Sequence, residues 1–473
     1  MSTIPDPGGT TVSSSTTDRS PRSRRTRRRA ALLAGTAALA LFATACSGGT
    51  RVGGDAPSAA TGEDAGKGEV TGAVRLAYWG SGARVDLTNG VSDLFVEEHP
   101  GVTVTPEFTD FAAYFQRLNV QATSGGMACI TQLQGRQLND YAGQGLLVDL
   151  QPLVDSGAIN VDDIPAEVLD TGRGPDGKLY EIPYGAAYDA IMVNTTLAEQ
   201  AGVGTPPEGW TWDDFFTYAT KAKASLPDGV AGVNLLGGHP NTFIEWLRGN
   251  GKEVFDGKEA AFTADDVVEY WGLWEQLRTS GVTISAPDRA AEAAQVEQSW
   301  VAQGRTLLDN KPGNQLGQAQ GAIDGAQPGA KLTTVQLPRG DDGASSTVLF
   351  TSGWSIPTSC DNIPTAAAYI DFWVNDPEAN ALFASNNGAV TNTKMLEAQL
   401  ADTSLAPAVR QNLELFQQIV KDEPPTVLYP AGYQANFETA FTRSYEAVAL
   451  NGADPRETAQ QFVDNLNAAL AQA

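Results

Sequence analysis

The stretch Leu179–Asn194, LYEIPYGAAYDAIMVN, decides the fold. Tyr180, Ile182 and Tyr184 alternate with their neighbours, and Ile191 and Val193 do so again, which is the period of a strand. Between the two halves lie Pro183, Gly185, two alanines, Tyr188 and Asp189. Proline removes a backbone donor and glycine relaxes the chain, so the strand is expected to break there. On that reading the chain leaves one lobe and enters another at this point, with Tyr184, Tyr188 and Asp189 facing the gap. The plainer alternative is a buried strand, a bend and a second strand, with tyrosine as core filler.

Upstream, Val74–Trp79 alternates as a first strand and stops at Gly80-Ser81-Gly82. Asp86–His99 reads as a helix closed by Pro100-Gly101. A second strand, Val102–Phe108, precedes a helix over Phe111–Ala122. A strand near Ala128–Leu133 and a helix near Gln137–Gly143 follow. This β-α-β-α series predicts a largely parallel sheet covered by helices. Downstream, helices are expected over Trp212–Ala224, Thr242–Arg248, Thr263–Thr279 and Ala290–Gln303. Arg305–Leu308 reads as a strand and Asp309–Asn314 as a polar loop after it. Leu332–Leu337 and Thr347–Ile356 read as further strands, and the chain ends in helices.

Several segments, in order, carry a family resemblance: AYWGSG, EEHPGVTVTPEF, YFQRLNVQATSGG, NDYAGQGLLVDLQPLV, GKLYEIPYGAAYDAIMVNTTLAEQAGV, PPEGWTWDDF and LFTSGWSIPTSCDNIPTAAAYIDFWVND. The set resembles the family 1 extracellular solute-binding proteins, the sugar-binding proteins of ABC importers and relatives of the maltose-binding protein. The resemblance runs from Val74 to the end of the chain. It departs at Ala128-Cys129, where members usually carry Pro-Asp. It implies an α/β, periplasmic-binding-protein-like fold of two discontinuous lobes joined by a hinge. Residues 70–183 and 356–400 would form the first lobe, and 184–355 and 401–473 the second. The hinge is expected at Pro183–Gly185 and Ile356–Pro357.

The chain has 473 residues, 42% of them hydrophobic, enough for two or three cored domains. Its formal charge is −25, from 31 basic and 56 acidic residues. Seven arginines fall between Arg19 and Arg29, so the body is more acidic still. Such a body repels phosphate backbones, which argues against nucleic acid as a partner. Residues 1–45 combine that basic run with the uncharged apolar stretch Ala30–Ala45, the pattern of a signal peptide. Ala43-Thr44-Ala45-Cys46 resembles a bacterial lipobox, with Ala43 where leucine is usual. The resemblance implies that Cys46 is diacylated and anchors the protein to the outer face of the cytoplasmic membrane. The arginine run also resembles a twin-arginine export signal. Residues 46–69 are rich in Gly, Ala, Ser and Thr and read as a flexible tether. Cys129 and Cys360 remain as a pair in an oxidising compartment, either bonded or as two buried thiols.

No catalytic signature stands out. His99 and His239 are the only histidines, and neither sits in a metal-ligand spacing. There is no G-x-S-x-G elbow and no Walker loop. Aromatic-plus-polar clusters do recur at strand ends, where open α/β sheets bind ligands. Trp79 and Ser81 (with Arg84) form one. Gln134 and Arg136 (with Gln132) form the second, and Tyr184, Tyr188 and Asp189 the third. Asn241, Trp246, Asn310, Asn314, Gly353, Trp354 and Tyr433 complete the set. Ring faces suit the C–H face of a sugar; Asp, Asn, Gln and Arg suit its hydroxyls. Gly353 would let a sugar approach the backbone closely. Together with the family resemblance, which implies an ABC permease as partner, these residues lead to the expectation of a monomeric, cofactor-free receptor that captures a carbohydrate and delivers it to that permease. A secreted carbohydrate-active hydrolase and a receptor for a different solute are the alternatives.

Overall fold

The computed structural model describes residues 58–472 apart from 294 and 425. The expected signal peptide, Cys46 and the first part of the expected tether lie outside the described residues. Eleven strands are present among the described residues. In chain order they are β1 (Gly72–Trp79), β2 (Val102–Thr109), β3 (Ile130–Gln134), β4 (Ile182–Asn194), β5 (Ala231–Val233) and β6 (Phe255–Asp256). They continue with β7 (Glu259–Ala260), β8 (Thr306–Pro312), β9 (Leu332–Val335), β10 (Leu349–Ser355) and β11 (Ala389–Val390). One sheet runs β2-β1-β3-β10-β4-β8-β5, with β9 and β11 also paired to β4. Pairs β1–β2, β1–β3 and β5–β8 are parallel, as the alternation of strands and helices predicts. The centre is antiparallel, because β10 returns from far along the chain to lie between β3 and β4. The fold class is thus the expected α/β, with a mixed sheet. No helix among the described residues is long and apolar enough to cross a membrane.

β4 does not break. It runs unbroken from Ile182 to Asn194. The backbone defect that Pro183 demands is taken up by an irregularity in the ladder. Ile182 and Pro183 pair with Trp354 and Gly353, Gly185 pairs with Ser352, and Tyr184 is the extra residue. Proline tolerates a bulge because no ladder bond is lost there. Gly185 serves contact rather than flexibility: a Cβ there would lie 2.4 Å from the carbonyl oxygen of Asn387.

The partners of β4 change along its length. Residues up to Tyr188 pair with β10 and β11; from Asp189 onward they pair with β8 and β9. The sheet therefore passes between lobes at Tyr188–Asp189, downstream of the expected hinge at Pro183–Gly185. β10, expected in the second lobe, pairs with β3 of the first. The helix Pro407–Lys421, also expected in the second lobe, buries Leu413, Phe416 and Ile419 in the first-lobe core.

Apolar clusters cover both faces of each half of the sheet. In the first lobe, one contains Leu76, Tyr78, Phe95, Trp354, Tyr369 and Trp373. The other contains Trp79, Tyr114, Leu118 and Leu133. The second-lobe core is built on Phe215, Phe243, Tyr270, Trp271, Trp274, Phe437 and Phe441. A smaller cluster around Met192, Leu316 and Ile323 covers its other face.

Residues 58–69 are not a free tether. Ala60 and Ala65 are fully buried in the first-lobe core, and Ser156 Oγ donates to the Ala65 carbonyl. Small side chains suffice here because the backbone itself lies close to Leu153, Ala158 and Ala367. Two other local expectations fail. Ala290–Gln303 forms no long helix; a helix over Ala286–Ala290 and a 3-10 turn over Val296–Gln298 stand there. Asp309–Pro312, expected as loop, continues β8, because pairing with Asp189–Met192 satisfies its backbone. Cys129 and Cys360 are joined by a disulfide between the entry to β3 and the segment after β10.

Candidate functional site

The polar groups converge where β4 changes partners. Asp189 is 2% exposed and accepts a 2.8 Å hydrogen bond from Asn241 Nδ2. Asn241 stands in the first turn of the helix Pro240–Gly249, which His239 caps by accepting from the Thr242 amide. One turn on, Glu245 shares the face of Asn241. Glu245 is wholly buried and receives Asn310 Nδ2 at 2.6 Å. Asn310, on β8, also donates to Thr242 Oγ1 at 2.8 Å.

Asp189 and Glu245 are neighbouring buried carboxyls that influence each other's titration. Burial raises both; Asn241 and Arg136 pull Asp189 back, whereas the Asp189 charge pushes Glu245 further up. Of the two, Glu245 is pushed further toward its protonated form.

The first lobe contributes the helix Gly135–Ala142, which begins directly after β3. Its Arg136 Nη1 donates to Glu438 Oε1 at 2.9 Å, and its guanidinium lies 4.9 Å from the centre of the Phe350 ring. Burial works against the Arg136 charge, but Glu438, Tyr433, Tyr429 and Asp189 hold its pKa above the ordinary value. Farther along the same helix, Asn139 Nδ2 donates to the Tyr429 carbonyl at 2.6 Å, and Asp140 accepts from the Gly432 amide at 2.6 Å. Tyr429 and Tyr433 lie ring to ring, 4.5 Å between centroids. Beside this contact a crevice of about 360 Å³ opens, bordered by Asn139, Gly143, Tyr180, Gly257 and Ala431.

This region is rich in buried polar atoms that find no partner within the protein. They are Asn139 Oδ1, Asn241 Oδ1, Glu245 Oε1, Asn310 Oδ1 and the hydroxyls of Tyr429 and Tyr433. An unsatisfied buried polar group is costly, about 1–3 kcal/mol each. Six such atoms lie in this one region, which makes it the candidate site.

Of the residues singled out from sequence, Arg136, Asp189, Asn241, Asn310 and Tyr433 come together here. Gln134 borders them and accepts from Arg136 Nε at 3.3 Å. Others lie elsewhere. Tyr188 does not face the gap with Asp189: in an unbroken strand, neighbours point to opposite faces. It stacks on Phe416 and donates to the Asn412 carbonyl at 2.7 Å. Tyr184 and Trp354 stack on each other in the first-lobe core, 5.1 Å between centroids, and Tyr184 is bonded to Gln132 and Asn387. Trp79 packs edge-on against Phe111 and Tyr114. Gly353 is required by packing rather than by a ligand, since a Cβ there would come within 2.4 Å of Glu181 Cγ. Trp246 lines a separate crevice of about 320 Å³ with Trp212, Phe216 and Arg339. Ser81 and Asn314 are exposed.

Glu245, Asn139, Tyr429 and Glu438 were missed. Glu245 was findable, because the four-residue step from Asn241 puts both on one helical face. Tyr429 precedes Tyr433 by the same step, but in a loop, where spacing says nothing about facing.

The bacterial extracellular solute-binding protein family matches this chain over residues 82–380. A binding protein of Brucella abortus (strain 2308) is 29% identical over 223 residues, 46% of this chain and 46% of its own length. The chain thus spans under half the length of the curated relatives it matches. Among solved structures, a periplasmic oligogalacturonide-binding protein from Yersinia enterocolitica has a TM-score of 0.70 at 18% identity, covering 85% of this chain and 99% of its own. The GacH receptor of Streptomyces glaucescens, solved unliganded and with acarbose, has a TM-score of 0.65 at 18% identity, covering 85% and 98%. At such identities the structures speak for the two-lobed fold alone. The family match covers well over half of the chain, and with it this protein belongs to the bacterial extracellular solute-binding proteins.

Proposed function

We propose that the protein is the exported, lipid-anchored receptor of an ABC importer and that its solute is a carbohydrate. The supporting observation is the group of unpartnered buried polar atoms around Asp189, Glu245, Asn241, Asn310, Tyr429 and Tyr433. A sugar carries hydroxyls that both donate and accept, and its C–H faces suit the tyrosine rings. The oligosaccharides named for the Yersinia and Streptomyces proteins favour the same solute class. The solute binds between the lobes and holds them together, because it touches both only when they are closed. Cys46 carries the acyl anchor, the receptor is a monomer, and the permease recognises the closed state. No bond of the solute is broken.

The test is a thermal-shift panel of mono- and oligosaccharides followed by chromatography of the recovered sugar. Stabilisation growing with ligand concentration, with the sugar recovered intact, is the expected result. Cleaved products, or no response to any saccharide, would overturn the reading.

A further inference from the structure

The buried charges around the site do not balance. Arg136 is paired with Glu438 at 2.9 Å, Lys311 with Asp309 at 3.0 Å and Arg289 with Glu292 at 2.5 Å. Each of these cations already has its own carboxylate. His239 supplies no charge, since burial and then the nearby Arg289, Lys311 and Arg136 push its imidazole well below the ordinary value. Asp189 and Glu245 have no ion pair of their own among the described residues; their hydrogen bonds come from the neutral amides of Asn241 and Asn310.

The unpartnered atoms around this pair have a common character. Asn241 Oδ1 and Asn310 Oδ1 are acceptors, and Glu245 Oε1 is one whenever its carboxyl is ionised. Glu245 and Asn310 are at most 1% exposed. Asn241 is half-buried and holds Asp189 through its amide. A neutral hydroxyl has one hydrogen to give and would leave the charge uncompensated. An ammonium group has three N–H donors, no acceptor and one positive charge.

We propose that the solute is an amine-bearing saccharide whose protonated nitrogen is held by Asp189 and Glu245, with Asn241 and Asn310 supplying further acceptors. The inference rests on the carbohydrate-receptor reading and narrows it. Uronate and sugar-phosphate ligands are disfavoured by the same charge, because Arg136 is engaged with Glu438. Burial favours the protonated form of both carboxyls, so an ammonium that binds them displaces a proton. Glu438, Asp309, Lys311, His239, Tyr429 and Tyr433 surround the pair. Glu438 and Asp309 are ion-paired with Arg136 and Lys311, and burial holds the His239 imidazole well below its ordinary value.

The decisive experiment is isothermal titration of the protein with short glucosamine oligosaccharides. Comparison ligands are their N-acetylated forms, glucose and galacturonate oligomers of equal length, and ammonium chloride alone. Each is run in two buffers of different ionisation enthalpy. The amines should bind at least about tenfold tighter than either neutral series. Their binding should release a proton, and their affinity should rise between about pH 5 and pH 7. Glu245→Gln should reduce the preference for amines by about tenfold or more. Equal or tighter binding of neutral sugars, without proton release, would overturn the amine assignment and leave the carbohydrate receptor standing. Stabilisation by ammonium chloride equal to that by the amino sugars would reduce the site to a cation site and overturn it too. Failure of every saccharide to bind would overturn both readings.

Discussion

Arg136 of the first lobe donates to Glu438 of the second, Nη1 to Oε1 at 2.9 Å, with both side chains less than a quarter exposed. The bond ties the helix that follows β3 to the segment that carries Tyr429 and Tyr433. Beside it, Asn139 and Asp140 make two more bonds to the same segment. These three bonds run from the helix Gly135–Ala142 to one segment of the second lobe, beside the candidate site. Glu438→Gln keeps the shape and removes the charge. We expect a loss of about 1–3 kcal/mol in unfolding free energy and a larger radius of gyration by small-angle scattering without ligand. An unchanged radius would show that the ion pair has no part in closure.

Trp354, expected from the sequence to face a sugar, lies wholly buried against Tyr184, Tyr369 and Trp373. Trp354→Ala should act as a core truncation. The expected cost is about 3–5 kcal/mol in urea unfolding. Asp189→Asn, by contrast, should weaken solute binding about tenfold or more with a much smaller loss of stability. A stable Trp354→Ala protein with lost affinity would reverse this assignment of roles.

The disulfide closes a loop spanning 231 positions. The chain-entropy account gives about 5 kcal/mol for a loop of this size, as an upper figure. Cys129→Ala with Cys360→Ala should lower unfolding stability by about 2–5 kcal/mol. Thiol labelling of the unfolded, unreduced body should find neither cysteine reactive.

Glu181 is wholly buried, and both its carboxyl oxygens lack an adequate partner. Burial raises its pKa well above the ordinary carboxylate value, offset only by Thr351. The folded state thus holds this proton more tightly than the unfolded state. The associated stability is fully present below about pH 4.5 and is lost as pH rises toward the folded pKa. Glu181→Gln, with the same shape and no proton to lose, should flatten that decline. Urea midpoints at about pH 5 and pH 8 read the difference. A slope unchanged by the substitution would place the proton elsewhere.

Much of the first lobe was legible because its early strands and helices follow one another locally. Val74–Trp79, Val102–Phe108 and Phe111–Ala122 are set by alternation, helical spacing and turn residues. β10 was not placeable, since its position between β3 and β4 depends on pairing across more than a hundred residues. The same limit explains Tyr188. The proline and glycine in its strand speak for a break, and only the bulge on Tyr184, formed with a distant partner, preserves the alternation. Asp189, Asn241 and Asn310 were legible as polar residues beside strand ends. Trp354 and Trp246 were misplaced because an aromatic ring fills a core as readily as it stacks on a sugar. Glu438 lies in a helical stretch with nothing local to mark it, and only the approach of Arg136 gives it meaning.

The unbroken course of β4 bears on how the two halves can separate. With its ladder passing from β10 to β8 within a single strand, the halves share a torsion bar rather than a slack joint. Their relative movement has to be absorbed as added twist along a hydrogen-bonded ribbon, spread over several peptides. That confines the mouth to a wringing motion of limited arc, and it returns the groups around Asp189 to the same register each time it shuts.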